Sequence, residues 1–335
     1  MGEPAVVGGV YEVGIGVTDL DEALRYWSLF GYTAGPRGSL DYEQAKALFG
    51  VESALESVRL DHQDADHGLV RLMRWDTPLG AGLGTVPLRT PGNRWAVAKT
   101  KEVLQVANFA AAHQAEAVHT IGPVFHPVPG PDGAQDPIDA EVRCKREFIF
   151  FQPESRHVLV QRYAHDIADF GTYNETSRFC ASQFTQVGLC IAERDAALLD
   201  FYADVLGLHR HDVDFVASKD SMPAIVVPLD DGELLRETDF DDVRLGDPPG
   251  MQRSGKLRVF RITGDTGGEN LVDQSCAGHL GFSLYTYRVT DIAVMRGKVA
   301  ANGATSVTAI TPDEFGTLAF SFIAPDGYFW TFVAA

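Results

Sequence analysis

The chain has 335 residues, more than one ordinary core accommodates, with 45% hydrophobic and 22% charged residues, the balance of a soluble globular protein. Lys and Arg number 28 against 46 Asp and Glu, a formal net charge of −18, and no Lys/Arg cluster supplies the basic face that nucleic acid or an anionic membrane requires. No stretch approaches the ~20 apolar residues of a membrane span. Met1-Gly2-Glu3-Pro4 lacks the basic and apolar regions of a secretion signal, and Cys144, Cys180, Cys190 and Cys276 lack CxxC spacing, so a reduced, cytoplasmic protein is expected.

In chain order, residues 10–17 read as an apolar, β-branched strand. Asp19 or Asp21 caps a helix to about Phe30, with Leu20, Leu24 and Trp27 on one face and Gly31 as its stop. Residues 42–49 form an inserted helix, and 53–60 and 69–75 are the strands that complete a first unit. A second unit opens with Trp95-Ala96-Val97-Ala98-Lys99, continues with a helix over 103–114 and a strand over 118–125, and ends in a hairpin of 148–151 and 157–163. The Pro/Gly-rich stretch 122–137 is a long loop, either a cover for a cavity mouth or a solvated excursion. A third unit has its helix at 195–206, stopped by Gly207, and an acidic loop at 239–250. The fourth has a strand at 283–289, a helix from Asp291 to Ala301 ended by Gly303, and a hairpin turning at Pro325-Asp326-Gly327 into a strand at 328–333.

The chain repeats itself at an offset of about 175 residues. Val10-Tyr11-Glu12-Val13-Gly14-Ile15-Gly16-Val17 matches Thr185-Gln186-Val187-Gly188-Leu189-Cys190-Ile191, and Asp21-Glu22-Ala23-Leu24 matches Asp195-Ala196-Ala197-Leu198. Gly68-Leu69-Val70-Arg71 resembles Gly255-Lys256-Leu257-Arg258, and Phe148-Ile149-Phe150-Phe151-Gln152-Pro153-Glu154 resembles Phe320-Ser321-Phe322-Ile323-Ala324-Pro325-Asp326. The expected organisation is an N-terminal domain at 1–165, a linker at 166–182 and a homologous C-terminal domain at 183–335, each with two strand–helix–three-strand units.

The strand–Asp-Leu–helix–Gly pattern (Val17-Thr18-Asp19-Leu20; Phe201-Tyr202 to Leu206-Gly207-Leu208) and the closing Ala324-Pro325-Asp326-Gly327-Tyr328 resemble the vicinal oxygen chelate superfamily, the glyoxalase/bleomycin-resistance/extradiol-dioxygenase fold. The resemblance covers almost the whole chain. It implies an α+β fold of four βαβββ modules in two tandem glyoxalase-like domains, each a half-open eight-stranded barrel with its ligand on the concave face. It leaves open whether units pair within or across halves, and leaves open a homodimer.

Metal-using members of that family place His, Gln or Glu on the first strand of each unit and Glu on the fourth. Carried over, the first-strand positions are Glu12, Trp95, Gln186 and Leu284 (or Ser283), and the fourth-strand positions Arg71, Leu159, Arg258 and Thr331. A divalent metal needs three or four N, O or S donors about a point, and arginine cannot ligate. The resemblance therefore implies a site without the usual metal, and no cofactor is expected.

Glu12 then reads as a general base and Arg71 as the anchor for a substrate carboxylate, phenolate or enolate, or the two as a buried ion pair. Trp95, Lys99, Leu159, Gln186, Arg258, Tyr163 and Thr331 are the expected substrate-binding residues, and Lys145, Arg146 and Glu147 add polar groups if alternate ones point inward. His209 with His211, His62 and His67 with Asp61, Asp64 and Asp66, and His279 are the remaining metal candidates, each equally readable as solvated. No phosphate loop, nucleophile elbow or HExxH occurs. The leading expectation is a cofactor-independent lyase, isomerase or epimerase acting on a small aromatic or carbonyl-bearing molecule. The alternatives are a non-catalytic drug- or metabolite-binding protein, or a ring-cleaving dioxygenase or glyoxalase with relocated ligands.

Overall fold

The computed structural model describes residues 6–113, 118–127, 144–212, 217–218, 227–242, 253–263 and 269–335. The first unit is β1 (Val6–Gly16), α1 (Leu20–Ser28), β2 (Thr33–Leu40), the inserted α2 (Tyr42–Phe49), β3 (Leu55–Asp61) and β4 (Leu69–Trp75). Asp19 caps α1 by accepting the Glu22 amide at 2.9 Å, and Asp41 and Gln44 form a capping box on α2, which Gly50 ends in the left-handed region. The second unit is β5 (Arg94–Thr100), α3 (Val103–Ala112), β6 (His119–Pro127), β7 (Cys144–Gln152) and β8 (Ser155–Tyr163). The expected long loop at 122–137 is strand as far as Pro127; its remainder lies outside the described residues.

The third unit is β9 (Ala181–Ala192), β10 (His209–Asp212), β11 (Ala217–Ser218), β12 (Leu234–Asp241) and β13 (Lys256–Thr263). Its expected helix is a 3-10 stretch (Glu193–Leu199) followed by one π turn (Phe201–Val205), and the widened turn carries the Tyr202 hydroxyl to Asp326 Oδ2 at 2.6 Å. The acidic stretch expected as a loop begins inside β12, and 243–250 lie outside the described residues. The fourth unit is β14 (Gly281–Val289), α4 (Ile292–Ala301), capped by Asp291, then β15 (Thr311–Pro312), β16 (Leu318–Ile323) and β17 (Phe329–Ala334). Among the described residues no helix is long and apolar enough to cross a membrane.

Units pair across the halves of the chain. One eight-stranded sheet runs β15-β16-β17-β14-β1-β4-β3-β2, joining the fourth unit to the first. The other runs β10-β12-β13-β9-β5-β8-β7-β6, with β11 on β12 as a ninth strand, joining the third unit to the second. The stretches 1–165 and 183–335 are thus halves of the repeat, and each half-open barrel takes one unit from each. The two crossings between barrels run side by side: Leu79 N–H donates to the Gly278 carbonyl at 2.8 Å and Leu280 N–H to that of Gly80 at 3.0 Å.

The repeat appears in the register. Glu12 pairs with Leu69 and Gly14 with Arg71 on β1 and β4; Gln186 pairs with Lys256 and Gly188 with Arg258 on β9 and β13. The barrels meet by a reciprocal exchange at the start of these strands. Phe184 N–H donates to the Gly68 carbonyl at 3.1 Å, and Val10 N–H, its counterpart, donates to the Gly255 carbonyl at 2.8 Å. Both glycines have positive φ (67° and 88°), and a Cβ on Gly68 would lie 2.0 Å from the Phe184 oxygen, so backbones this close require glycine. The largest apolar cluster fills the space between the convex faces, with Val13 and Ile15 of one sheet, Val187 and Leu189 of the other, and Trp27 and Phe30 of α1.

Inside that cluster His157 lies between the rings of Trp27 (4.7 Å) and Phe30 (4.6 Å), and neither ring nitrogen makes a hydrogen bond. Burial pushes its imidazole from 6.5 down to about 3. The unfolded chain therefore takes up a proton near pH 6.5 that the folded chain refuses until about pH 3. Stability is full above that upper value and falls below it, by roughly 1.4 kcal/mol per pH unit from this one group. Relative to wild type, His157→Phe is expected to flatten the acid limb of a urea-unfolding series between pH 6.5 and 4, with little change at pH 8.

Gly188 leaves the space in which the Trp95 indole lies, since a Cβ there would stand 2.0 Å from Trp95 Cε2. Gly188→Ala is expected to lose about 1–3 kcal/mol in denaturant unfolding and to shift tryptophan emission. Gly14→Ala, whose Cβ meets Leu284 Cγ at 2.6 Å rather than an indole ring at 2.0 Å, should lose less.

Candidate functional site

On the concave face of the first barrel the structure brings Glu12 and Arg71 together and closes them in. Arg59 Nε donates to Glu12 Oε2 at 2.7 Å and Arg71 Nη1 to Glu12 Oε1 at 3.2 Å. Arg71 also grips Glu314 with both arms, Nε to Oε1 at 2.8 Å and Nη2 to the other oxygen. The Phe315 ring lies 4.2 Å from the Arg59 guanidinium and 5.3 Å from that of Arg71. Glu12 and Arg71 are 0% exposed. Burial pulls the Glu12 carboxyl upward, but Arg59 and Arg71 outweigh it and hold it below the usual carboxylate range. This is the buried ion pair of the two sequence readings, enlarged by two partners.

The second barrel is open. Its concave face encloses a cavity of about 400 Å³. Trp95, Lys99, Gln186 and Arg258, four of the expected binding residues, line it. So do Lys145 and Glu147, whereas Arg146 between them points away.

Strand register divides the cavity. At the end of β5 that holds Trp95, the indole packs on Phe260 at 4.7 Å between centroids, and Leu88, Val158, Val227 and Leu235 complete an apolar cluster. At the other end of β5, Lys99 stands beside Val160, and Val160 pairs with Glu147. Arg162 and Lys145 pair one step further on. The walls carry five cations (Lys99, Lys145, Arg162, Lys256, Arg258) and two carboxylates (Glu147, Glu237).

Most of these cations are already matched. Arg258 holds Asp239 bidentately (2.7 and 2.9 Å) and Glu237 at 2.8 Å; Lys256 reaches Asp239 at 2.5 Å; Lys145 reaches Glu147 at 2.6 Å. Burial pulls Asp239 upward, but Arg258 and Lys256 outweigh it and bring its carboxyl down to about 2. Arg258, expected to bind substrate, therefore faces the cavity as a paired group.

Lys99 and Arg162 differ. Both lean on the half-exposed Asp166, Lys99 Nζ at 3.1 Å and Arg162 Nε at 4.0 Å, and Arg162 Nε makes no hydrogen bond. Burial lowers the proton affinity of both, with Asp166 only partly restoring it. Asp166 and Phe170, which also faces the cavity, belong to the linker, so that segment forms part of the wall.

Two expected positions move by strand alternation. Val158, Val160 and Arg162 of β8 face the cavity, so Leu159 lies fully buried in the opposite core and Tyr163 is 54% exposed beside Arg146. On β14 the residue opposite Glu12 is Thr286; Leu284 lies two residues away in an apolar cluster, and Ser283 bonds the Gly14 carbonyl. Thr331 belongs to the first barrel, where it pairs with Thr286 and shares a 2.9 Å hydrogen bond with Ser321. Arg162, Glu237 and Phe260 went unread; their signal was alternation with Val158 and Val160, Leu235, and Arg258.

The family's metal positions accordingly hold Glu12, Thr286, Arg71 and Val333 in one barrel and Gln186, Val97, Arg258 and Val160 in the other. Neither set fits a divalent metal, because each has one strong oxygen donor or amide beside an arginine. His67 is bound to Asp66 and Ser254, His209 and His211 are exposed on β10, and His279 Nδ1 lies 3.4 Å from Cys276 Sγ. Among the described residues no three His, Cys, Asp or Glu side chains gather about a point.

No protein-family model and no curated protein matches the chain. Solved structures do. Glyoxalase I from Zea mays is 14% identical, with a TM-score of 0.51 over 97% of this chain and 92% of that one. A Bacillus subtilis protein provisionally described as a dioxygenase is 10% identical, with a TM-score of 0.55 over 99% and 86%. The chain therefore has the vicinal oxygen chelate fold, in its tandem four-unit form.

Proposed function

We propose that the chain takes a small organic acid with an apolar or aromatic body into the second barrel, without the metal used by other proteins of this fold. The polarity of the cavity carries this reading. At one end Lys99 and Arg162 share one half-exposed carboxylate, so an incoming carboxylate or phenolate supplies counter-charge that burial makes valuable. At the other end Trp95 and Phe260 offer aromatic surface for the remainder of the molecule. Gln186, in the wall between, has an amide to orient a second oxygen.

A second reading is turnover of the same molecule by proton transfer, and Glu237 favours it. This wall carboxylate lies 2.8 Å from Arg258, the pairing of base and anchor expected of Glu12 and Arg71 but facing the ligand. Glu237 would take the proton and Arg258 would face the developing oxyanion of a lyase or isomerase reaction. Ligand recovered unchanged after long incubation favours binding alone. Turnover that survives Glu237→Gln removes Glu237 as the base.

The binding reading is tested with 3-phenylpropionate and its amide, followed by tryptophan emission and calorimetry. The acid should bind more tightly than the amide. Lys99→Met should weaken the acid roughly 10–100-fold, the loss of one charge-assisted hydrogen bond, and leave the amide unchanged. Equal binding of acid and amide by the wild type would sink the proposal.

A further inference from the structure

The first barrel holds the same arginine at the same register, with a different occupant in front of it. In the second barrel Arg258 takes its carboxylate from the neighbouring strand, where Asp239 stands opposite it, and the concavity stays open. The corresponding residue opposite Arg71 is Arg59, a second cation. The charge there is met by Glu12 and by Glu314, which arrives from the turn between β15 and β16.

That turn crosses the barrel mouth. It leaves one edge of the sheet at β15 and reaches the other edge at β2, where a Cβ on Gly38 would lie 1.9 Å from the Glu314 carbonyl oxygen. Asp313 ties the turn by accepting the Phe315 and Thr317 amides at 3.0 and 2.8 Å, with Gly316 at φ 81°. It presents to Arg71 a carboxylate held on both arms and, one residue on, a ring against two guanidiniums.

We infer that the concave face of the first barrel is a second acid-binding seat, occupied by the chain's own Glu314 and Phe315, and that a small aryl carboxylate is the free ligand it accepts when that segment is cut back. The occupant displays the chemistry of the ligand: two carboxylate oxygens for the fork of Arg71, and a flat ring for the guanidinium faces. The inference does not rest on the second barrel.

The test is Glu314→Ala with Phe315→Ala in a chain that also carries Lys99→Met, titrated with 3-phenylpropionate and compared with the Lys99→Met parent. One additional molecule should bind per chain, and the unfolding midpoint should rise saturably, by about 5 °C at a hundredfold excess over Kd. The amide should do neither, and adding Arg71→Met should abolish the new binding. If the double change prevents folding, Glu314→Ala alone decides: acetate should raise its midpoint where chloride at equal ionic strength does not. A folded variant that gains no acid-dependent site, or new binding indifferent to Arg71→Met, overturns the inference. Failure of the wild type to bind the acid would bear only on the second-barrel proposal, since the new site is counted separately.

Discussion

The reciprocal hydrogen bonds of Gly68 with Phe184 and Gly255 with Val10 are the constraint on which the rest of the architecture turns. They join the first strand of one barrel to the start of the fourth strand of the other, twice, at equivalent places of the repeat. A β-carbon on Gly68 would collide with the Phe184 carbonyl, and one on Gly255 would press on the His67 ring, and both positions have the positive φ that favours glycine. With the strands pinned in this way, β1 lies beside β14 and β9 beside β5, so one barrel joins the first unit to the fourth and the other joins the second to the third. The convex faces then share one apolar interior, and the concave faces point outward as two separate candidate sites.

The two concavities differ in where each buried arginine finds its counter-charge. Removing the carboxylate from a buried arginine pair costs about 3–5 kcal/mol. Arg258 is paired laterally, by Asp239 and Glu237 on the adjacent strand, and the space above it remains available. Arg71 has Arg59 on that side and is paired from above, by Glu314. One position of the repeat, an acid (Asp239) in one barrel and a base (Arg59) in the other beside the arginine, thus distinguishes an open barrel from a filled one.

Much of this was legible in the residues. Caps such as Asp19, Asp41 and Asp291 and stops such as Gly50 mark helices through local hydrogen bonding, and the repeat marks the units. Trp95, Lys99 and Gln186 line the second cavity, on strands whose alternation is clear. Leu159 and Tyr163 were misplaced because a period of two turns a slip of one residue into the opposite face. Asp239 was hidden at the start of a segment whose acidity reads as loop, although as a strand residue it holds Arg258 and Lys256, and Glu237 on the same strand was not singled out.

The sequence alone determined the four units, their order and their duplication, because these are local: a cap, a stop and an apolar stripe are written within a dozen residues. It also determined which side chains stand at the family's metal positions in unit one and unit three, since those lie inside the repeat. The tertiary structure decided the rest. That the first unit closes on the fourth, that Arg162 and the linker's Phe170 face one cavity, and that Glu314 reaches Arg71 across 243 positions are long-range pairings. No pattern within either segment encodes them, because they follow from which sheet edges and which buried charges come to lie opposite one another.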